Sequence, residues 1–179
     1  MLESLITSKT RIKLLLKFFL NSSTRAHLRG LETEFNESTN AIRLELNRFE
    51  QAGLLTSHTE ANRKVFMANT AHPLFPEIQN LLRKHLGIDQ LVEKVIEQLG
   101  EVEKVYLTGA FARGQESPDI EILLVGGNVD TDYLELLIEK ATKHIQKHIV
   151  YQLISNSQFD ESFAYQGAEK ILLLWQQSK

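Results

Sequence analysis

Between Asn36 and Asn69 the chain reads "NESTNAIRLELNRFEQAGLLTSHTEANRKVFMAN", and that stretch leaves little freedom in how it can fold. Ser38 is a good N-cap, because a short hydroxyl side chain accepts a hydrogen bond from the orphan amides of a first helical turn. Behind it Ile42, Leu46 and Phe49 recur at i, i+4 and i+7, which places them on one face of a helix. Gly53 supplies the residue that readily turns left-handed just past a helix end. "LLTSHT" and "KVFMAN" are then short strand candidates around a polar tip, "EANR", that carries Arg63 and Lys64. A helix with both ends marked is followed by a hairpin.

Upstream, "STRAHLRGLETEF" predicts a second helix with Ala26, Leu28, Leu31 and Phe35 as core positions. "NES" is the short turn that joins the two helices into a helix-turn-helix unit. Residues 9–21, "KTRIKLLLKFFLN", predict a first helix with Ile12, Leu15, Leu16, Phe19 and Leu20 on one stripe. Leu14 and Phe18 add apolar surface on a second face. One small domain rarely covers two faces of a helix, so the expectation is a homodimer formed through this N-terminal helix.

Three helices followed by a hairpin with a basic tip make a winged helix-turn-helix, and the stretch resembles the recognition helix and wing of ArsR-like transcriptional regulators. "FEQAGLL" and "NRKVFMAN" carry the likeness most specifically, and it spans roughly residues 5–72. The resemblance implies double-stranded DNA as the partner, with the start of the recognition helix in the major groove. With Ile42, Leu46 and Phe49 turned inward, the outward side carries Thr39, Asn40, Arg43, Leu44 and Asn47. Arginine suits guanine, asparagine suits adenine, and an apolar group suits a thymine methyl. Arg48, Arg63 and Lys64 suit phosphates, which position a protein without reading sequence.

The organisation expected is an α+β chain of two domains: a winged helix over residues 1–72, a helical connector over 73–100 and a small α/β domain over 101–179. "HPLFPEIQNLLRKHLGIDQLVEKVIEQLG" predicts two helices broken near Gly87. "EKVYLTG", "DIEILLVG", "IVYQLIS" and "KILLLW" read as strands of a mixed sheet. The helix "DTDYLELLIEKATKHIQKH" aligns Leu134, Leu137, Ile138, Ala141 and Ile145 on one stripe.

Between the first two of these strands, "LTGAFARGQESPDIEILLV" sets a glycine-rich turn before an apolar strand that begins with two acids. Together with the connector it resembles proteins that join an ArsR-like winged helix to a nucleotidyltransferase-like (MNT-type) domain. That family's pattern is Gly-Ser, a short glycine loop, Asp-x-Asp on the next strand and a third carboxylate on a later strand. The acids hold Mg²⁺, a hard cation that needs several carboxylate oxygens beside a triphosphate. Gly109 matches the glycine, but Ala110 stands at the serine. Arg113 and Gly114 keep the turn, and Asp119 and Glu121 stand at Asp-x-Asp after a segment a residue or two short. "IVYQLIS" holds no acid: its outward candidates are Val150, Gln152 and Ile154, or Tyr151 and Leu153 on the other face.

The resemblance therefore implies a degenerate domain without catalytic residues or a cofactor, Mg²⁺ entering only if the site is active. Asp119 and Glu121 would be remnants, and Gly109, Arg113 and Gly114 would remain to touch a nucleotide. A nucleotide or a protein is the ligand expected there. His144 and His148, read four apart on one helix, could pair on a metal but lack a third ligand.

Zero cysteines among 179 residues exclude disulfides and thiolate chemistry and fit a reducing cytoplasm. No window reaches membrane-span length, and the first residues lack the pattern of a signal peptide. Residues 1–70 carry 10 Lys and Arg against 7 acids, whereas residues 71–179 carry 10 against 16. A polyanion would meet the first part. Three functions fit: a DNA-binding regulator with a degenerate second domain, an active Mg²⁺-dependent nucleotidyltransferase modifying a protein or small molecule, or a winged helix that binds protein.

Overall fold

A short helix α1, Leu2–Leu5, leads into α2, Lys9–Leu15, which continues from Leu16 to Leu20 with the wider π spacing. Ser8 caps α2 by accepting a hydrogen bond from the Arg11 amide. Every residue from Leu14 to Leu20 is buried, and Leu14, Phe18, Phe19 and Leu20 are buried completely. Leu14 and Phe18 therefore present no face to a partner subunit, and the expectation of a dimer seam along this helix is corrected. Its apolar residues on both faces are covered within its own unit, while Arg11, Lys13 and Lys17 among them end in ion pairs with Glu45, Glu37 and Glu34. The Phe19 ring meets Phe49 edge-on at 6.5 Å and Phe75 at 5.6 Å. Its carbonyl accepts the Gln79 side-chain amide at 3.1 Å.

This computed structural model describes residues 2–98, 101–145, 147–159 and 171–177, in two units covering residues 1–85 and 86–179. In the first unit α2 is followed by β1 (Ala26–His27), α3 (Leu28–Phe35), α4 (Thr39–Gln51), β2 (Leu55–Glu60) and β3 (Arg63–Ala68). The helix predicted from residue 23 starts later, at Leu28. Ala26 and His27 instead pair antiparallel with Phe66 and Val65, giving a three-stranded sheet in the order β1-β3-β2. Ala26 is consequently only half-buried.

The ends of α4 follow the sequence signals closely. The Ser38 hydroxyl accepts the Ala41 amide at 3.2 Å. Gly53, at φ +71°, donates to the Glu50 carbonyl at 2.9 Å, and Leu54 donates to the Phe49 carbonyl at 2.9 Å. This paired arrangement satisfies two orphan carbonyls at the helix end. The hairpin turns on Ala61 and Asn62, both with positive φ (46° and 61°), the two-residue turn whose twist matches antiparallel strands. Arg63 thus opens β3, opposite Glu60. α5, Phe75–Leu86, and α6, Ile88–Gln98, are separated by Gly87 at φ +71°.

The second unit continues with β4 (Val102–Thr108), α7 (Gly109–Ala112), β5 (Asp119–Gly126), α8 (Thr131–Ile145), β6 (His148–Ile154) and β7 (Leu172–Gln176). The sheet order is β6-β5-β4-β7, with β5 and β6 parallel and the other pairs antiparallel. The sheet is mixed, as expected, and the ambiguous "KILLLW" run supplies its edge strand. Leu134, Leu137, Ile138 and Ala141 of α8 are buried at helical spacing; the Ile145 side chain lies outside the described residues. On one sheet face Tyr106, Leu123 and Val125 pack with Ile154, Phe159 and Ile171. α8 ends at Ile145, and His148 opens β6. The two histidines do not share a helix, and the His144 side chain lies outside the described residues. Among the described residues, no helix is long and apolar enough to cross a membrane.

Candidate functional site

Helix α4 sorts its side chains sharply. Ile42, Leu46 and Phe49 are buried, while Asn40, Arg43, Leu44, Asn47 and Arg48 are exposed and Thr39 is half-buried. Leu44 is 51% exposed, an apolar group for which its own unit provides no cover. Arg43 Nη1 donates to Asn40 Oδ1 at 3.1 Å, so these two side chains stand together on the outer face.

Glu45 is the exception on the inner side, a carboxylate only 5% exposed. Arg11 grips it with two hydrogen bonds, Nε to Oε2 at 2.9 Å and Nη2 to Oε1 at 3.2 Å. The Ser8 hydroxyl donates at 3.3 Å and Arg48 Nη1 at 3.0 Å. Burial works to raise this carboxyl's pKa, but the hydrogen bonds and charge of Arg11, with Arg48 and Ser8, hold it below the ordinary range. Arg48, expected at a phosphate, is paired inside its own helix. Lys64 is similarly engaged. Its ammonium lies 2.6 Å from Glu50 of α4 and 5.0 Å over the Phe66 ring. Hydrogen bonds from Lys64 and Ser57 hold the Glu50 carboxyl low. These contacts tie the hairpin to the helix beside it.

Between helix and hairpin runs a groove of about 560 Å³. Arg29, Arg43, Arg63 and Lys64 stand around it, Leu46 and Phe66 contribute apolar lining, and no carboxylate lines it. Nothing in the sequence singled out Arg29; its place beside the hairpin exists only once the chain has folded.

In the second unit, Thr108 and Glu121 are opposite each other on β4 and β5. Gly109 adopts φ +63°, and a Cβ there would fall 1.8 Å from Oε1 of Glu121. Glycine is needed twice: for the left-handed backbone, and because the Glu121 carboxylate lies directly against it. Gly114, at φ +69°, closes the turn by donating to the Phe111 carbonyl at 2.9 Å, with Arg113 exposed beside it. The Asp119 amide donates to Ser117 Oγ at 3.0 Å, and Lys147 Nζ reaches the Ser117 carbonyl at 2.7 Å. Lys147 also lies 5.1 Å over the Phe111 ring. It joins the surroundings of the turn without any sequence signal, because its position depends on where α8 stops.

The register settles which β6 residues accompany the acids. Asp119 is beside His148, Glu121 beside Val150 and Leu123 beside Gln152, so His148, Val150 and Gln152 share their face. Val150 is 52% exposed. Among the described residues, no three of His, Asp and Glu converge as metal ligands. Asp119 and Glu121 thus have Val150 alongside in the register, and Ala110 stands where the resemblance calls for a serine.

No family model matches the chain, and no curated protein does. Among solved structures it is similar to a mutant of the MntA–HpeT toxin–antitoxin, at 15% identity, over 50% of this chain and 72% of that one, with a TM-score of 0.39. It is also similar to a candidate nucleotidyltransferase of Sulfolobus solfataricus, at 20% identity over 56% and 86% of the two chains and a TM-score of 0.37. The adhesin competence repressor AdcR of Streptococcus pyogenes is 18% identical over 52% and 72%, with a TM-score of 0.37. Similar structures thus include both nucleotidyltransferase-class and DNA-binding regulator proteins. At that level of likeness, what the chain can bind is decided by its own residues.

Proposed function

We propose that the chain is a DNA-binding transcriptional regulator whose first unit reads duplex DNA and whose second unit is a non-catalytic nucleotidyltransferase-like domain. The observation that carries the first half is the outer face of α4. Asn40, Arg43, Leu44 and Asn47 stand exposed together, a set that can hydrogen-bond adenine and guanine edges and touch a thymine methyl. Thr39 adds a hydroxyl at the helix start, and the hairpin flanks the same face. Arg43→Ala is expected to weaken binding to the preferred duplex by about 1–3 kcal/mol and to relax preference at one base pair. Selection of duplexes from a random pool, followed by fluorescence anisotropy, measures both. A mutant with unchanged affinity and unchanged preference would remove α4 as the reading element.

For the second half, support comes from the residues around Gly109. The glycine turn and the acids Asp119 and Glu121 survive, which favours an active Mg²⁺-dependent enzyme as the second reading. Against it, Val150 accompanies Glu121 in register and Ala110 offers no hydroxyl. Metal ions supply several kcal/mol to such transition states, so an incomplete ligand set should lower turnover by orders of magnitude. Incubation with labelled nucleoside triphosphates, Mg²⁺ or Mn²⁺ and lysate is expected to transfer no label. Transfer by the wild type that disappears in an Asp119→Ala, Glu121→Ala double mutant would establish the enzyme instead. Nucleotide contact at Gly109, Arg113 and Gly114 remains compatible with the non-catalytic reading, because backbone amides need no metal to bind phosphate.

A further inference from the structure

We infer that the groove between α3, α4 and the hairpin seats one sugar-phosphate strand of the duplex, and that Arg29 and Arg63 are its phosphate contacts, whereas Arg48 and Lys64 serve the fold. The inference rests on the DNA-binding reading above and extends it to residues outside the recognition helix. Arg29, Arg43, Arg63 and Lys64 line the groove, and Arg48 stands exposed elsewhere on α4; with Arg43 assigned to the reading face, pairing divides the other four. Arg48 is bonded to Glu45 at 3.0 Å and Lys64 to Glu50 at 2.6 Å. Each must give up or share a carboxylate before it can hold a phosphate, and that exchange leaves little net gain. Arg29 and Arg63 have no side-chain hydrogen bond or ion pair among the described residues. Both are exposed and both line the groove, whose lining holds no acid; Glu60 stands opposite Arg63 in the hairpin register but pairs with His58 at 3.5 Å instead.

A planar guanidinium with all its donors available suits a phosphodiester better than an engaged ammonium. The groove is also held in shape before any ligand arrives. Glu50 fixes the hairpin through Lys64 and Ser57, and β1 locks the start of α3 to β3. The cost of ordering the seat on binding is correspondingly small.

Fluorescence anisotropy of the full chain with labelled duplex DNA, repeated across a series of KCl concentrations, tests the division. Each phosphate neutralised contributes about 0.9 to the slope of log affinity against log salt. Arg29→Ala and Arg63→Ala are each expected to flatten that slope by about 0.9 and to weaken preferred and unrelated duplexes by the same factor. Arg29→Lys should restore most of the slope. Arg48→Ala and Lys64→Ala should lower the melting temperature and leave the slope in place. If Arg29→Ala keeps the wild-type slope while Arg43→Ala still loses affinity, the groove assignment falls and the DNA reading stands. A wild type that binds no duplex at any salt concentration overturns both, and binding of single-stranded RNA in preference to duplex overturns the assignment in favour of another nucleic acid.

Discussion

Phe18→Glu is expected to unfold residues 1–85 outright, not to yield a folded monomer. Phe18 is among the largest fully buried side chains, at 0% exposure, with Leu14, Leu16, Phe19 and Leu20 around it in sequence and equally withdrawn from water. Truncating such a residue to alanine costs about 3–5 kcal/mol through lost burial and the cavity left behind. A carboxylate in its place adds the cost of a buried charge without a partner. A folded unit of this size holds roughly 5–15 kcal/mol in total, so the combined penalty exceeds what it can absorb. Circular dichroism should show loss of helix signal, and calorimetry should show loss of one transition. The comparison that matters is with an interface residue, which would give normal secondary structure and a halved sedimenting mass. Phe18→Glu with native helix content would contradict the burial and revive a subunit seam along α2.

That contrast shows where the sequence was legible. The ends of α4 were readable because capping is local: Ser38 acts on Ala41, and Gly53 acts on the turn just behind it. The hairpin was readable for the same reason. The spacing marks the helix α2, but apolar residues on two faces of a helix say only that both are buried, not what covers them. The strand β1 escaped notice because two residues acquire a strand conformation only from Phe66 and Val65, some forty positions away.

At the candidate sites the residues could be named in advance, but not their engagements. Glu45 and Arg48 are three apart and could have been paired by spacing. Glu50 and Lys64 meet across a helix and a hairpin, and Arg11 reaches Glu45 from another helix. The face shared by Asp119, Glu121 and Val150 followed from period-two alternation, whereas the register that aligns them needed the sheet. The helical spacing runs on through Lys147 and His148 in the sequence, because nothing between Ile145 and Ile149 marks the helix end by itself.

Glu45→Ala is expected to destabilise the first unit by about 1.5–3 kcal/mol, the range for hydrogen bonds to a charged group. The variant removes the acceptor of Arg11, Arg48 and Ser8 together and leaves Arg11, with a side chain 37% exposed, only partly able to turn to water. It also breaks the link between α2 and α4. Two more carboxylates stitch the unit in the same way. Glu37 accepts from Lys13 at 2.7 Å and from Thr10, and Glu50 accepts from Lys64 and Ser57. Burial opposes ionisation at Glu37, yet Lys13, Thr10 and Lys9 bring its pKa below the ordinary glutamate value of 4.5, as happens at Glu45 and Glu50. A folded-state pKa below the unfolded one stabilises the fold fully above the unfolded value, and that stability is lost as pH falls through the folded value. The unit should therefore keep constant stability from these groups near neutrality and lose it progressively below about pH 4.5, as each carboxylate takes up a proton. Urea titrations at pH 7 and pH 3.5 measure the loss. It should shrink in Glu45→Ala, which has one fewer carboxylate to protonate, and an identical acid loss in wild type and variant would rule out Glu45 as a source of the pH dependence.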